Sequence, residues 1–278
     1  NTYNLPASTI SNGATVMAAT LYTGNGSTQS IANTVNGVSF KPDLVWVKDR
    51  TQANQNVLFD SIRGATKYLV SNTTGAEGTV SGVTAFNSNG FSIGTDASTG
   101  TNGDAYVGWQ WQAGQGTTSS NTSGSITSTV SVNATAGFSI VTYTGTGANA
   151  TVGHGLGVAP KMVIVKNRNS AGFNWAVWHA SLPSGAYYLL LNGTAAQASD
   201  ATVWNSTVPT STVFSIGTSP PMNTNGNTQV AYCWSEVKGF SAFGSYTGNG
   251  SADGPFIYTG FRPRWVLIKC SSTTGSWV

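Results

Sequence analysis

The stretch Lys41-Pro-Asp-Leu-Val-Trp-Val-Lys48 guides the interpretation of the whole chain, because it occurs three times. It returns as Ala159-Pro-Lys-Met-Val-Ile-Val-Lys166 and again as Arg262-Pro-Arg-Trp-Val-Leu-Ile-Lys269. Each copy is a Pro followed by a short, mainly apolar run that ends in Lys, a pattern that predicts a β-strand. Recurrence at wide spacing indicates a chain built from tandem copies of one unit.

Other motifs recur in the same order around this Pro strand. Tyr22-Thr-Gly-Asn-Gly-Ser precedes the first copy, and related strings begin at Tyr143 and Tyr246. Further along, Phe91-Ser-Ile-Gly94 matches Phe214-Ser-Ile-Gly217. A third match pairs Lys67-Tyr-Leu-Val-Ser-Asn72 with Tyr187-Tyr-Leu-Leu-Leu-Asn192. The glycines of the Tyr-Thr-Gly-x-Gly strings are typical of a tight strand exit with positive φ.

These matches predict five segments. They are an N-terminal segment 1–19 belonging to a preceding region, repeat one at 20–116, a Ser/Thr/Asn-rich stretch at 117–136, repeat two at 137–239, and an incomplete repeat three at 240–278. The stretch 117–136 is either a linker or an extra edge strand. Repeat three holds too few strands to fold alone, so either further chain or a neighbouring molecule would complete its sheet.

The local signals favour strands over helices. In the strand that closes repeat one, Val107, Trp109 and Trp111 fall on one face, and Val230, Tyr232 and Trp234 do so in repeat two, which is a period of two. Asn-Gly turns recur through the chain. Residues 194–202 are one stretch that could form a short helix. The predicted fold class is all-β, with tandem antiparallel β-sandwich modules, jelly-roll or lectin-like, of about 100 residues each.

The Pro strand is apolar on both faces in all three copies. In repeat one Leu44 and Trp46 point one way, and Val45 and Val47 point the other. A simple sandwich buries only one face of each strand. The second face must therefore be covered either by a loop of the same module or by another module or protomer.

Composition narrows the classes of function. Charged residues are 8% of the chain, against roughly 25% in an average soluble domain. The net charge is +3 and the Lys and Arg residues are dispersed, so no nucleic-acid partner is expected. No apolar stretch approaches the length of a membrane span, so no membrane insertion is expected. A surface of hydroxyls and amides with so few charges suits an extracellular or virion-exposed protein.

Few residues suggest chemistry. Ser92 lies in Gly90-Phe-Ser-Ile-Gly94, which has the letters of a nucleophile elbow, but the pattern predicts a strand and not a strand-to-helix turn. His154 and His179 are isolated from acids and Cys, so no metal site is expected. Cys233 and Cys270 cannot form a disulfide framework. The sequence predicts no catalytic, cofactor-binding or metal-binding residue, no cofactor and no enzyme, and it singles out no receptor-binding residue.

Several long strings carry a resemblance to a known kind of module. They include "YTGNGS", "KPDLVWVK", "VLFDSIRGATKYLVSNTT", "GHGLGVAPKMVIVKNR" and "VAYCWSEVKG". The chain resembles a repeat module of uncharacterised function in large virion proteins of marine and freshwater tailed phages, notably cyanophage-like ones. The resemblance extends from Leu21 to Val278, and it implies a virion structural protein with no assigned catalytic residues.

The resulting hypothesis is a segment of a phage tail fibre or spike, located in the extracellular virion. Its expected partners are other copies of itself in a homo-oligomer, as a trimer, other virion proteins, and a glycan or protein of the host surface. Two alternatives stay open: a capsid decoration or fibre protein of the virion, and a bacterial cell-surface adhesin or extracellular filament subunit. A third alternative function is an enzyme acting on polysaccharide, which would need paired carboxylates on facing strands.

Overall fold

The computed structural model describes residues 8–278, so part of the predicted segment 1–19 lies outside the described residues. A 3-10 turn at Gly13–Thr15 precedes the first strand. The first half of the chain then forms β1 (Met17–Thr23), β2 (Gln29–Ala32), β3 (Leu44–Asp49), β4 (Val57–Asp60), β5 (Lys67–Val70), β6 (Gly78–Thr79), β7 (Val83–Asn87), β8 (Gly90–Ile93), helix α1 (Ala97–Gly100) and β9 (Ala105–Trp111).

The first half is a two-layer arrangement. A six-stranded sheet has the order β1-β9-β3-β4-β5-β6, and a three-stranded sheet has the order β2-β8-β7. One face of the larger sheet packs on the smaller one, with Val45 and Val47 of β3 against Phe91 and Ile93 of β8 in one buried cluster. The alternation of apolar residues along β3 and β8 produces this layer, since every second side chain points into it.

The second half continues the chain with β10 (Ser119–Asn121), β11 (Ser128–Asn133), β12 (Phe138–Thr144), β13 (Ala150–Gly153), β14 (Met162–Asn167), β15 (Ala176–His179), β16 (Tyr187–Leu190), β17 (Ala198–Ser199), helix α2 (Ala201–Trp204), β18 (Val213–Ile216), helix α3 (Pro220–Asn223) and β19 (Thr228–Trp234). Its larger sheet has the order β10-β11-β12-β19-β14-β15-β16-β17, and β13 pairs with β18. All strand pairs in these sheets are antiparallel.

The two larger sheets share strand order and register. From β12 to β17 the second sheet repeats the order of the first, strand for strand. Trp111 of β9 lies opposite Met17 and Leu44, and Trp234 of β19 lies opposite Phe138 and Met162. The all-β class and antiparallel pairing predicted from the sequence are confirmed.

In both halves the Tyr of the Tyr-Thr-Gly string holds a short helix in place through a hydrogen bond from its hydroxyl group. The Tyr22 hydroxyl donates to the backbone oxygen of Thr99 in α1 (2.9 Å), and the Tyr143 hydroxyl donates to that of Met222 in α3 (2.9 Å). Gly24 is held so close to the backbone of Thr101 that an added Cβ would lie 2.3 Å from its carbonyl oxygen. Glycine is therefore required there by close approach of two backbones.

The stretch 117–136 contains β10 and β11, which extend the second sheet, so its edge-strand interpretation applies. The short helix considered at 194–202 lies later, at Ala201–Trp204, where the Asp200 side chain caps it. The predicted Pro strand of repeat three is wrong, because residues 264–269 form no strand. A strand needs a hydrogen-bonded neighbour along its length. Among residues 8–278 the backbone of this segment pairs only where Ile268 and Val278 exchange two hydrogen bonds (2.7 and 3.0 Å).

Because Lys166 is buried, the free energy of unfolding should vary with pH in the alkaline range. Its side chain is inaccessible to solvent, its Nζ donates to the backbone oxygen of Asn167 (2.9 Å), and burial lowers its pKa to about 8. The unfolded chain, with a lysine pKa near 10.5, binds more protons between these two values. We therefore expect the free energy of unfolding to rise between about pH 8 and about pH 10.5.

Urea unfolding across this pH range measures the effect. Lys166→Met should remove this rise, whereas Lys48→Met, at the equivalent place on β3, should retain it. Lys48 is the matched control because its Nζ reaches the loop carbonyl of Asn54 (2.7 Å) and is partly exposed. Identical pH profiles for the wild type and Lys166→Met would contradict the prediction.

Candidate functional site: the packed interface between the two large sheets

The faces of the two large sheets that point away from their small sheets pack against each other. One buried apolar cluster, called here the shared core, contains side chains from both. The first sheet contributes Met17, Leu44, Trp46, Leu58 and Trp111, and the second contributes Phe138, Met162, Ile164, Val177 and Trp234. Burial of apolar area at this scale is the main favourable term in association, so the shared core joins the two halves.

Aromatic rings form the centre of the shared core. Trp111 and Trp234, which end the equivalent strands β9 and β19, meet edge to face with ring centroids 6.1 Å apart. Phe138 packs against both rings, with its centroid 6.3 Å from that of Trp111 and 5.1 Å from that of Trp234. Edge-to-face and tilted pairs at such distances add to the burial of area. The Trp that closes each repeat therefore serves contact between repeats.

The shared core explains why the Pro strand is apolar on both faces. Val45 and Val163 point to the small sheet of their own half, and both are fully buried. Leu44 and Met162 point to the opposite large sheet. Of the two interpretations left open by the sequence, packing on a neighbouring repeat applies within this chain, and a covering loop of the same repeat does not.

A buried polar cluster crosses the edge of this interface. The Arg63 side chain is fully buried and pairs through Nε with the Asp60 carboxylate, while Nη1 donates to Glu77 (3.1 Å). From the other sheet, the Tyr232 hydroxyl donates to Asp60 (2.7 Å). Arg168 donates from two nitrogens to the two Glu77 oxygens (2.9 and 3.0 Å). Two arginines and two carboxylates thus balance each other, as buried charges require.

The pKa values follow from burial and pairing. Burial acts to lower the pKa of Arg63, but the adjacent Asp60 carboxylate outweighs it and raises that pKa further. Burial acts to raise the pKa of Glu77, but hydrogen bonds from Arg168 and the charge of Arg63 outweigh it and lower that pKa. Burial raises the pKa of Tyr232 well above its ordinary value. These groups keep their charge states at neutral pH. The cluster of Asp60, Arg63, Glu77, Arg168 and Tyr232, called here the polar lock, joins the two halves by fixed hydrogen bonds.

Glu77 should make the interface sensitive to acid. Its pKa is lower in the folded protein than in the unfolded chain, so its stabilising contribution is complete above the unfolded value of about 4.5. That contribution is lost as the pH falls from there through the folded pKa.

We expect Glu77→Gln to lower the free energy of unfolding by roughly 1–2 kcal/mol at pH 7, the scale of hydrogen bonds to a charged group. Thermal unfolding from pH 7 to pH 3 should show the two stabilities converging, while Glu236→Gln at an exposed site follows the wild type. A constant difference across this range would contradict this role.

The residues that the sequence singled out for chemistry are not brought together. Ser92 lies in β8 between the fully buried Phe91 and Ile93, and its hydroxyl accepts from Asn87 (2.9 Å) and lies 3.3 Å from that of Ser30. These neighbours carry neither an imidazole nor a carboxylate, as a nucleophile elbow would need. The Ser92 position is that of a polar residue within a strand.

Both histidines are used in local structure. His154 is fully buried, its Nδ1 accepts from the Leu156 amide (3.2 Å), and burial lowers its pKa. His179 ends β15, its Nδ1 accepts from the Ser181 amide (3.1 Å), and burial lowers its pKa too. Within residues 8–278 no group of three or more His, Cys, Asp or Glu is placed to hold a metal ion.

The buried acids also have structural partners. Asp43 accepts from the amides of Ala113, Gln115 and Gly116, each at 2.7 Å, and so ties the start of β3 to the chain after β9. Asp49 accepts from two amides of the following turn and from Asn54. Cys233 is buried and Cys270 is exposed, and both are free thiols.

A small cleft lies between α2, α3 and the second large sheet. Its volume is about 90 Å³, and its lining includes Asn174, Tyr188, Asp200 and Met222. Pockets for small molecules generally measure about 300–1,000 Å³. The cleft has room for a few waters, and the interface between the sheets remains the main candidate site.

Sequence reasoning missed Arg63, Glu77 and Arg168, which form the polar lock. A usable signal was present, because in a chain with 8% charged residues each arginine and carboxylate stands out. The spacing of Asp60 and Arg63 was visible in the sequence. Their contact Tyr232 and the Glu77 partner Arg168 come from the other repeat, and only the fold brings them near.

Comparison with known proteins gives one match. The model of a family described as "Domain of unknown function (DUF7483)" matches residues 12–278. Neither the curated proteins nor the solved structures give a match. In the described part of the chain, no helix has the length and apolar character that crossing a bilayer requires. Since the match spans nearly the whole sequence, this chain belongs to the DUF7483 family.

Proposed function

We propose that this chain is a non-enzymatic structural segment of a phage virion, part of a tail fibre or spike built from tandem jelly-roll-like modules. The observation that carries the proposal is the shared core, in which the outer faces of two large sheets are buried against each other. Modules that bury whole sheet faces against each other form one rigid body, which is what a virion fibre needs to transmit force and hold its shape.

The motifs that recur along the chain serve this packing. The Tyr22 and Tyr143 hydroxyls donate hydrogen bonds to the backbones of helices α1 and α3. The Trp that ends each closing strand packs in the shared core. The acids Asp43, Asp49 and Asp60 are engaged in structural hydrogen bonds. Recognition is then a property of the exposed, weakly charged surface, and we propose a host glycan or surface protein as its partner.

The proposed setting is the extracellular virion, with other virion proteins and further copies of this chain as neighbours. We propose a homotrimer for the assembled particle. Sedimentation velocity on the purified chain measures the subunit number, and a mass of one subunit at micromolar concentration would contradict the trimer. The resemblance of strings such as "YTGNGS" and "VAYCWSEVKG" to phage virion modules supports this setting.

Immunogold labelling of intact particles tests the location. Antibodies raised against this chain are expected to label tail appendages, and label on capsid faces alone would favour a decoration protein instead. Labelling of a bacterial surface without particles would favour an adhesin. In parallel, the chain is incubated with host envelope polysaccharide and reducing ends are measured, with release expected to equal that of a heat-denatured control. Release above that control would contradict the non-enzymatic assignment.

A further inference from the structure

We propose that residues 240–278 form a docking surface for the second half of a repeat, and that its binding closes a ring of three repeats around the shared core. The occupant is one polypeptide segment with the pattern of residues 177–239 of this chain. The proposal rests on contacts between repeats that occur twice, and it goes beyond the proposed function because it concerns assembly alone.

The first repeated contact is a tryptophan hydrogen bond between neighbouring repeats. Trp175, just before β15, donates from Nε1 to the backbone oxygen of Val70 at the end of β5 (2.9 Å). Trp277 donates from Nε1 to the backbone oxygen of Leu190 at the end of β16 (2.8 Å). The strands β5 and β16 are equivalent, and each Val70 or Leu190 is the last residue of its strand. Repeat three therefore contacts repeat two as repeat two contacts repeat one.

Two backbone contacts repeat in the same way. The Gly172 amide donates to Thr74 (3.0 Å), and the Gly275 amide donates to Thr194 (2.8 Å). Thr74 and Thr194 each lie four residues beyond the strand end just described. These bonds fix the orientation of each repeat on the one before it.

In the second repeated backbone contact, the amide belongs to the earlier repeat and the carbonyl to the later one. The Glu77 amide donates to the backbone oxygen of Arg168 (2.8 Å), and the Gln197 amide donates to that of Ser271 (2.9 Å). Arg168 and Ser271 each lie eight residues after the Pro of their Pro strand. Three independent bonds thus define one interface that the chain uses twice.

An interface between two different faces, used repeatedly, produces either a closed ring or an open filament. The position of Trp265 selects the ring. Its side chain packs edge to face on Trp111 of repeat one, with centroids 5.2 Å apart, and Trp277 also packs on the shared core. Repeat three therefore contacts both other repeats, as in a ring of three, and would contact only repeat two in a filament.

The side of repeat three that faces away from the ring is open. Val266 occupies the position of Val45 and Val163, which are fully buried, yet it is 56% exposed. Phe256 and Tyr258 are 88% and 66% exposed. The hairpin contact of Ile268 with Val278 has the same spacing as that of Val47 with Val57 in β3 and β4. Residues 262–278 thus follow the repeat pattern, and Val266 lacks the cover that its two equivalents have.

The other two repeats show what covers this surface. Val163 packs against Phe214 and Ile216 of β18, and β14 pairs along its length with β19. Val45 has the equivalent neighbours in β8 and β9. The segment that fits must therefore supply a Phe-Ser-Ile strand and an alternating apolar strand ending in Trp, as residues 177–239 do.

The test appends a copy of residues 177–239 directly after Val278, since Val278 is equivalent to Ala176. Chymotrypsin cleavage at Phe256 and Tyr258 is expected to slow at least tenfold, and the amides of residues 265–269 should become protected from hydrogen exchange. The matched control carries the same extension with the residues corresponding to Phe214 and Tyr232 replaced by Asp, and it should be cleaved as fast as the parent chain. Equal cleavage of the two extensions, or protection only through dimers seen by sedimentation, would overturn the proposal.

A second variant tests the geometry without any extension. Trp277→Phe removes the donor to Leu190 and should speed cleavage within residues 262–278 several-fold. Trp265→Ala should have the same effect, because it removes the contact with Trp111. If neither variant alters cleavage in that segment, repeat three is not docked as described and the ring is wrong.

Discussion

Replacing Arg63 with alanine is expected to lower the free energy of unfolding by about 3–5 kcal/mol, as removal of one partner from a buried ion pair does. The change leaves the Asp60 carboxylate buried without its cation, since both side chains are inaccessible to solvent. It also removes a donor to the Leu58 carbonyl (3.0 Å) and one to Glu77 (3.1 Å). Urea unfolding followed by tryptophan fluorescence measures the loss.

Two further variants separate charge from packing. Arg50→Ala, at an exposed position, should change stability by no more than about 0.5 kcal/mol. The double variant Arg63→Met with Asp60→Leu should be less destabilised than Arg63→Met alone, because it buries no unpaired charge. A loss under about 1 kcal/mol for Arg63→Ala would show that the polar lock does not stabilise the interface.

Trp175→Ala is expected to cost about 3–5 kcal/mol, the range for truncating a buried tryptophan, and to uncouple the two large sheets. Trp175 is fully buried in the shared core and also donates to Val70 of the other repeat. Differential scanning calorimetry should therefore show one unfolding transition for the wild type and two for the variant.

Trp204→Ala is the matched control for this result. Trp204 is 1% exposed but lies in the core within repeat two, on the far side of the second large sheet. It should lower stability by a similar amount and leave the transitions of the two sheets coupled. If both variants gave the same calorimetric profile, Trp175 would have no special role between the repeats.

The periodicity of the sequence was sufficient to locate most strands. Alternation in residues such as Val107, Trp109 and Trp111 predicts a strand, and the structure has β9 there. Period two is a local property of a backbone whose successive side chains point to opposite faces, so a single sequence is enough to detect it. The same argument failed for residues 264–269, because the pattern of Trp265 and Leu267 is local but the pairing that makes a strand is not.

The candidate site was predictable only in outline. The sequence showed that both faces of the Pro strand must be covered, since Leu44 and Val45 are both apolar. It could not show what covers them, because alternation reports burial and not the identity of the neighbour. Likewise the stretch 117–136 could be a linker or an edge strand, and the pairing of β11 with β12 in the second sheet decides for the strand.

By itself, the sequence determined an all-β chain of recurring motifs whose first two Pro strands need cover on both faces, because side-chain alternation and glycine turns act within a few residues. Only the tertiary structure decided that the two large sheets cover each other, and that Arg63, Glu77 and Arg168 meet at their edge. The contact of Arg168 with Glu77 joins residues 91 positions apart. Contacts of this kind depend on how whole sheets minimise exposed apolar area.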